Sequence, residues 1–264
     1  MIKILVIGNS FSENATFYLH QAALSAGIKT KVVNLNLGGC SFERHWQNIS
    51  NEQAVYRYEL NGYYDEESQK NPVTIQEVLF SEKWDYVVSQ QASRDSGVSA
   101  TYYPYALNIY AYLRQNIPHA KFCIQQTWAY EINSQNEAFF RYHKSQSEMY
   151  QKLSACYQKI AQELSLFVIP TGKAIQELRK MNMFHSTTGE VNLSWDGHHL
   201  SPVYGKFAAS LVWLKFLLGV DVKQLNYVPL NRYNEGFIID LVALEVIKSF
   251  VSEFTFTQGT LLTK

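Results

Sequence analysis

Apolar residues along the chain fall into short dense blocks separated by longer stretches with helical spacing. Residues 2–7, apolar but for Lys3, form a short run that is mostly β-branched and fits a strand buried on both faces. Similar blocks recur at 29–37, 84–89, 120–125 and 166–169. Between them, apolar positions recur with a helical period over 15–26, 42–49, 73–81, 104–116, 136–164, from Pro170 onward, and over 203–218 and 237–254. Gly27 and Gly219 stand where two of these helices should stop. Strands alternating with helices predict an α/β fold: a doubly wound parallel sheet of about five strands with helices on both faces. One segment breaks the rhythm. Tyr56, Tyr58 and Leu60 alternate with polar residues and run into Asn61-Gly62, which predicts a small β-hairpin inserted within 55–72. Residues 65–71 read as a solvated loop. With no repeats or low-complexity segments, the pattern predicts one domain over 1–264.

Composition narrows the partners. The 23 basic residues balance the 23 acidic ones, so neither nucleic acid nor a membrane surface is an expected partner. Cys40, Cys123 and Cys156 are an odd count without metal-type spacing; a reduced, intracellular setting is the simpler reading. Residues 2–7 are too short for a signal-peptide core or a membrane span, and a strand beginning at the first Met leaves no room for a leader, so a cytoplasmic location is expected. The chain is rich in aromatic residues, with 18 Tyr, 15 Phe and 5 Trp. They suit a core, and also the aromatic faces of a sugar-binding cleft.

Candidate chemistry gathers at the ends of the strands. Gly8-Asn9-Ser10 follows the first strand and precedes a helical pattern. That edge of an open α/β sheet is where ligands bind. Amides in the turn and at the helix start can stabilise an anion. Taken alone, this segment favours reading Ser10 as a helix cap. Gly38-Gly39 closes the second strand and Gln90-Gln91 the third, while Asp196-Gly197-His198-His199 lies in a late loop before a helix. The spacing of Asp196 and His199 lets the carboxylate turn back and accept the imidazole N–H, leaving the other ring nitrogen free to take a proton from a serine hydroxyl. Adjacent His198 and His199, with no further ligand at a recognisable spacing, argue for no metal. The first turn has no Gly-x-Gly-x-x-Gly or Gly-Lys-Ser/Thr pattern, so no nucleotide or other cofactor is expected.

Together these segments resemble the SGNH/GDSL-type hydrolase superfamily, in a divergent bacterial branch similar to sialate O-acetylesterase and acetylxylan-esterase relatives. Gly8-Asn9-Ser10-Phe11-Ser12 is similar to its first block, with Asn9 in place of the usual Asp, and Asp196-Gly197-His198-His199-Leu200-Ser201 to its last. Gly38-Gly39-Cys40-Ser41 matches the second block, whereas Gln90-Gln91 stands where the common Gly-x-Asn-Asp is absent. The resemblance implies that Ser10 is the nucleophile, His199 the base and then acid, and Asp196 its orienting partner. It further implies an oxyanion hole made by the amides of Ser10 and Gly39 and the side-chain amide of Gln91, preferred over Gln90 because it lies further past the strand. Gln90, Trp128 and Tyr130 are candidates for binding substrate. His198 is expected at the periphery. The implied activity is a serine esterase removing a small, acetyl-type acyl group from a carbohydrate or similar polar alcohol. A rival is a non-catalytic carbohydrate-binding module on the same fold.

Overall fold

The computed structural model describes residues 1–64, 66–231, 234 and 236–257. The chain runs β1 Ile2–Gly8, α1 Ser10–Thr16, α2 Leu19–Ser25, β2 Thr30–Asn36, α3 Phe42–Ser50, β3 Arg57–Leu60, α4 Glu66–Lys70 and α5 Ile75–Leu79. It continues through β4 Tyr86–Ser89, α6 Tyr105–Asn116, β5 Lys121–Gln125, α7 Gln146–Glu163, β6 Phe167–Ile169, α8 Thr171–Leu178, α9 Tyr204–Leu218 and α10 Leu241–Glu253. The sheet order is β3-β2-β1-β4-β5-β6. Five strands are parallel, in the order typical of flavodoxin-like sheets, and the chain reverses its direction of winding between β1 and β4. Ile4, Leu5, Val6 and Ile7 are fully buried, as a central strand covered on both faces requires.

The sheet has a sixth strand that the apolar pattern did not predict. The expected hairpin forms its turn at Asn61 and Gly62, both with positive φ, but β3 does not stand apart. It pairs antiparallel with β2 and extends the main sheet, with Asn34 opposite Glu59 and Asn36 opposite Arg57. Within the expected loop, 66–70 is helical; Asp65 lies outside the described residues.

Two predicted helices are broken for visible reasons. The stretch 15–26 splits between α1 and α2 because Ser210, on α9, inserts its hydroxyl. Its Oγ donates to the Ala15 carbonyl at 2.8 Å and accepts from the Tyr18 N–H at 3.1 Å. The stretch 136–164 becomes a 3₁₀ segment, Glu137–Tyr142, and then α7, with His143 and Lys144 at positive φ between them. The last helix starts at Leu241 rather than Phe237, because the Asp240 side chain caps it. Helix α9 is buried along most of its length and packs against α1, α2, α8 and α10.

Candidate active site

Ser10 is the first residue of α1, immediately past β1. The cap is Asn9, not Ser10: Asn9 Oδ1 accepts the Phe11 N–H at 3.0 Å, and Ser12 Oγ accepts the Asn9 N–H at 3.0 Å. The Ser10 hydroxyl is thereby left free of capping, and its N–H has no carbonyl one turn earlier to bond. Gly8 is needed just before this turn because a Cβ there would stand 2.1 Å from Ser12 Oγ.

The late loop meets this turn. His199 Nε2 lies 2.9 Å from Ser10 Oγ, and His199 Nδ1 lies 2.6 Å from Asp196 Oδ2. Asp196 Oδ1 accepts the backbone N–H groups of His198 at 3.0 Å and His199 at 2.7 Å. Partial burial works against ionising Asp196, but those N–H donors and the His199 ring outweigh it and hold the carboxyl below its usual range. Ser10, Asp196 and His199 thus have the contacts of a nucleophile, an orienting carboxylate and a base. Burial, and then the charge of His199, depress the basicity of His198. Its Nδ1 stands 3.2 Å from Asp196 Oδ1. Among the described residues, Asp196, His198 and His199 each bring one possible ligand atom within 4.8 Å of the others and could together hold a metal ion.

The loop is held by residues that the motifs did not single out. Asn14, one turn after Ser10, is buried, and its Oδ1 accepts the Leu200 N–H at 2.7 Å, tying the histidine to the serine's own helix. Trp128 donates its indole N–H to the His198 carbonyl at 2.8 Å and stacks on Phe11, with ring centroids 4.2 Å apart. Asn14 lies in a mostly polar turn, Ser12-Glu13-Asn14, so the sequence carried no signal that set it apart.

The glutamines occupy other posts than expected. Gln91 Nε2 donates to Thr101 O at 3.0 Å and Oγ1 at 3.1 Å, while its Oε1 accepts from Phe42 N and Ala92 N, each at 2.9 Å. It pins the start of α3 rather than reaching towards Ser10. Gln90 is the middle of a buried amide chain. Its Nε2 donates to Asn9 Oδ1 at 2.7 Å, and its Oε1 accepts from Gln125, whose own Oε1 accepts the Trp213 indole N–H at 2.6 Å. Asn9 Nδ2 continues the chain to the Cys40 carbonyl at 3.0 Å. Trp128 and Tyr130 are fully buried, so neither they nor Gln90 forms an open binding wall.

Two other groups stand near the candidate hole. Gly39 has φ +62° and carries the turn after β2; Arg94 Nη1 lies 3.2 Å from where a Gly39 Cβ would stand. Beside Ser10 opens a cavity of about 350 Å³ lined by Glu13, Asn36, Leu37, Gly38, Val55, Arg57, Gln69 and Pro72. The β3 segment builds its charged side: Arg57 Nη2 lies 3.3 Å from Glu13 Oε2 and 2.5 Å from Glu59 Oε1. Burial, then the nearby Glu13, raises the Glu59 pKa, and hydrogen bonds from Asn34 and Asn36 oppose the rise.

Residues 3–235 match the family model described as a domain of unknown function, DUF4886. A crystal structure of a DUF4886 family protein from Bacteroides uniformis is 33% identical with a TM-score of 0.84, over 95% of this chain and 93% of that one. A putative SGNH hydrolase from Slackia heliotrinireducens is 19% identical with a TM-score of 0.55, over 82% and 98% of the two chains. An acetyl xylan esterase is 13% identical with a TM-score of 0.54, over 83% and 100%. A search of curated proteins finds no match. The chain belongs to the DUF4886 family, and its fold is that of the SGNH hydrolases.

Proposed function

We propose that the protein is a serine esterase that removes a small acyl group from a polar, hydroxyl-rich alcohol. The observation that carries this reading is the unbroken contact from Asp196 through His199 to Ser10, with the hydroxyl 2.9 Å from the imidazole. Ser10 Oγ attacks the ester carbonyl while His199 Nε2 takes its proton. His199 then returns the proton to the leaving alcohol, and water releases the acyl group by the same route in reverse. The amides of Ser10 and Gly39 receive the oxyanion. Arg94, poised over Gly39, supplies the third and positively charged donor in place of Gln91. The cavity beside Ser10 supports a polar substrate, since Glu13, Asn36, Arg57 and Gln69 line it. Resemblance to esterases at the fold level supports the acyl class.

The test is hydrolysis of p-nitrophenyl acetate and of acetylated sugars by the wild type and by Ser10→Ala. The variant is expected to lose activity by on the order of 10⁴-fold or more, and a fluorophosphonate is expected to label Ser10 in the wild type. Labelling at another residue, or an active Ser10→Ala, would end the proposal.

A further inference from the structure

The buried amide chain behind Ser10 has no part in the mechanism proposed above. It starts on α9, where the Trp213 indole N–H donates to Gln125 Oε1 at 2.6 Å. Gln125 Nε2 donates to Gln90 Oε1, Gln90 Nε2 donates to Asn9 Oδ1 at 2.7 Å, and Asn9 Nδ2 donates to the Cys40 carbonyl at 3.0 Å. Gln125 ends β5, Gln90 follows β4, Asn9 follows β1, and Cys40 lies in the turn after β2. The amide chain therefore crosses four neighbouring strand ends in the order of the sheet. All four of its side chains are buried.

Its direction is not free. A carboxamide has a donor at one end and an acceptor at the other, and turning it over swaps them, so three linked amides could point either way. The groups at the two ends remove that choice. An indole N–H only donates, and a backbone carbonyl only accepts. The indole holds Gln125 with its oxygen towards α9. Gln125 then offers a nitrogen to Gln90, and Gln90 offers a nitrogen to Asn9. Asn9 is left with its oxygen also on the Phe11 N–H, at 3.0 Å, and its nitrogen on the Cys40 carbonyl. Reversal would set two acceptors together at Cys40 and two donors together at Phe11 and at Trp213, all of them buried.

Asn9 joins two turns. Its oxygen caps the helix that begins at Ser10, and its nitrogen holds the turn around Gly39, in which the Cys40 N–H donates to the Leu37 carbonyl at 3.0 Å. We propose that Trp213 and Gln125 are positioning residues: the indole sets the direction of the amide chain, and the chain fixes Asn9 between the turns whose amides, at Ser10 and Gly39, receive the oxyanion. The effect on rate rests on the esterase reading above; the direction of the amide chain does not.

The experiment uses full-length Gln125→Glu, Trp213→Phe and Val212→Ala. A protonated carboxyl has one donor and one acceptor and can stand in for the Gln125 amide; once ionised it only accepts, and Gln90 must turn over to meet it. The kcat of Gln125→Glu on p-nitrophenyl acetate, relative to wild type, is therefore expected to fall about tenfold or more as pH rises from 5 to 8.5, with KM little changed. Trp213→Phe is expected to lower kcat about tenfold at every pH. Val212→Ala, which removes buried packing from the same helix but no side-chain hydrogen bond, leaves kcat unchanged. A relative kcat of Gln125→Glu that does not vary with pH, or Trp213→Phe with the kcat of Val212→Ala, overturns the proposal. Near-ultraviolet circular dichroism checks folding at each pH; where Gln125→Glu does not fold, Trp213→Phe decides. The Asn9 carboxamide signals in nitrogen-15 NMR read the amide chain without activity. Trp213→Phe is expected to shift them and Val212→Ala to leave them in place. Shifted signals with an inactive wild type would end the esterase reading and leave the amide chain standing; unshifted signals with an active wild type would end the positioning proposal alone.

Discussion

Asn9 stands where the resembling enzymes carry an aspartate, and its amide does what a carboxylate cannot. Its oxygen accepts from Phe11 and Gln90 while its nitrogen donates to the Cys40 carbonyl. A carboxylate would turn an oxygen towards that carbonyl and leave two buried acceptors facing each other. The same accounting removes Gln91 from the oxyanion hole, because both its donors and its acceptor are used in holding Thr101, Phe42 and Ala92. The charge that a tetrahedral intermediate develops would then need another partner, and the one proposed is Arg94, whose Nη1 lies 3.2 Å from the Cβ position of Gly39 and whose Nε pairs with Asp95 Oδ2 at 3.3 Å. Arg94→Ala is expected to lower kcat on p-nitrophenyl acetate by roughly 100-fold with little change in KM, since a donor of this kind acts mainly in the transition state. Gln91→Ala is expected to act on thermal stability instead. Steady-state kinetics and a melting curve of the two variants check both, and a severe kcat loss in Gln91→Ala with none in Arg94→Ala would restore the glutamine to the hole.

At the scale of elements, helix α1 carries both the proposed nucleophile and the anchor of the proposed base. Ser10 and Asn14 are one turn apart, so the histidine loop is hung from the helix that it serves. Asn14→Ala leaves the buried Leu200 N–H without its acceptor. We expect a loss of about 1–3 kcal/mol in stability and a fall in kcat, because small displacements of a reacting pair are costly. Asn14→Asp keeps an acceptor and should recover more of the activity than of the stability. Denaturant unfolding and kcat for the two variants check this. Strand β3 plays a comparable part on the other side. By pairing with β2 it brings Glu59 and Arg57 against Asn34, Asn36 and Glu13, and so makes one wall of the Ser10 cavity.

At the scale of the whole molecule, stability should depend on pH through a histidine outside the candidate site. His45 is fully buried between Cys40 Sγ, at 3.4 Å from its Nδ1, and Tyr56 Oη, at 2.8 Å, and its Nε2 has no partner among the described residues. Burial lowers its pKa from 6.5 to about 3 and pushes the neighbouring Cys40 thiol up to about 12. The folded protein therefore keeps His45 neutral at pH values where the unfolded chain protonates it. The stabilisation is fully present above pH 6.5 and is lost as pH falls from there towards 3, at up to roughly 1.4 kcal/mol per pH unit for one proton. His45→Gln removes that proton. Its unfolding free energy, measured in denaturant at pH 6, 5 and 4, is expected to fall less steeply than the wild type's by up to one proton's slope; equal slopes would contradict it. No helix of the described residues is long and apolar enough to cross a membrane.

The fold class and the three residues of the candidate triad were legible in the sequence because each leaves a local trace. A buried parallel strand is a short apolar run, and a nucleophile at a strand end sits next to a glycine turn. The Asp196–His199 spacing works within a single loop. What the tertiary structure alone decided depends on groups brought together from distant segments. Whether a strand-end glutamine faces the serine or another amide turns on what stands across the sheet edge, which is Asn9 for Gln90 and Thr101 for Gln91. Whether an aromatic is wall or core turns on what covers it. Trp128 and Tyr130 are fully buried, and Trp195, with the same composition signal, stands in the open. The sixth strand is of the same kind: alternation and Asn61-Gly62 mark a hairpin, but its partner is chosen by the free edge of β2, which pairs Val33 with Leu60 and Asn36 with Arg57. Hydrophobic period is a property of one segment, whereas hydrogen-bond partners and burial belong to pairs, and pairs exist only once the chain has folded.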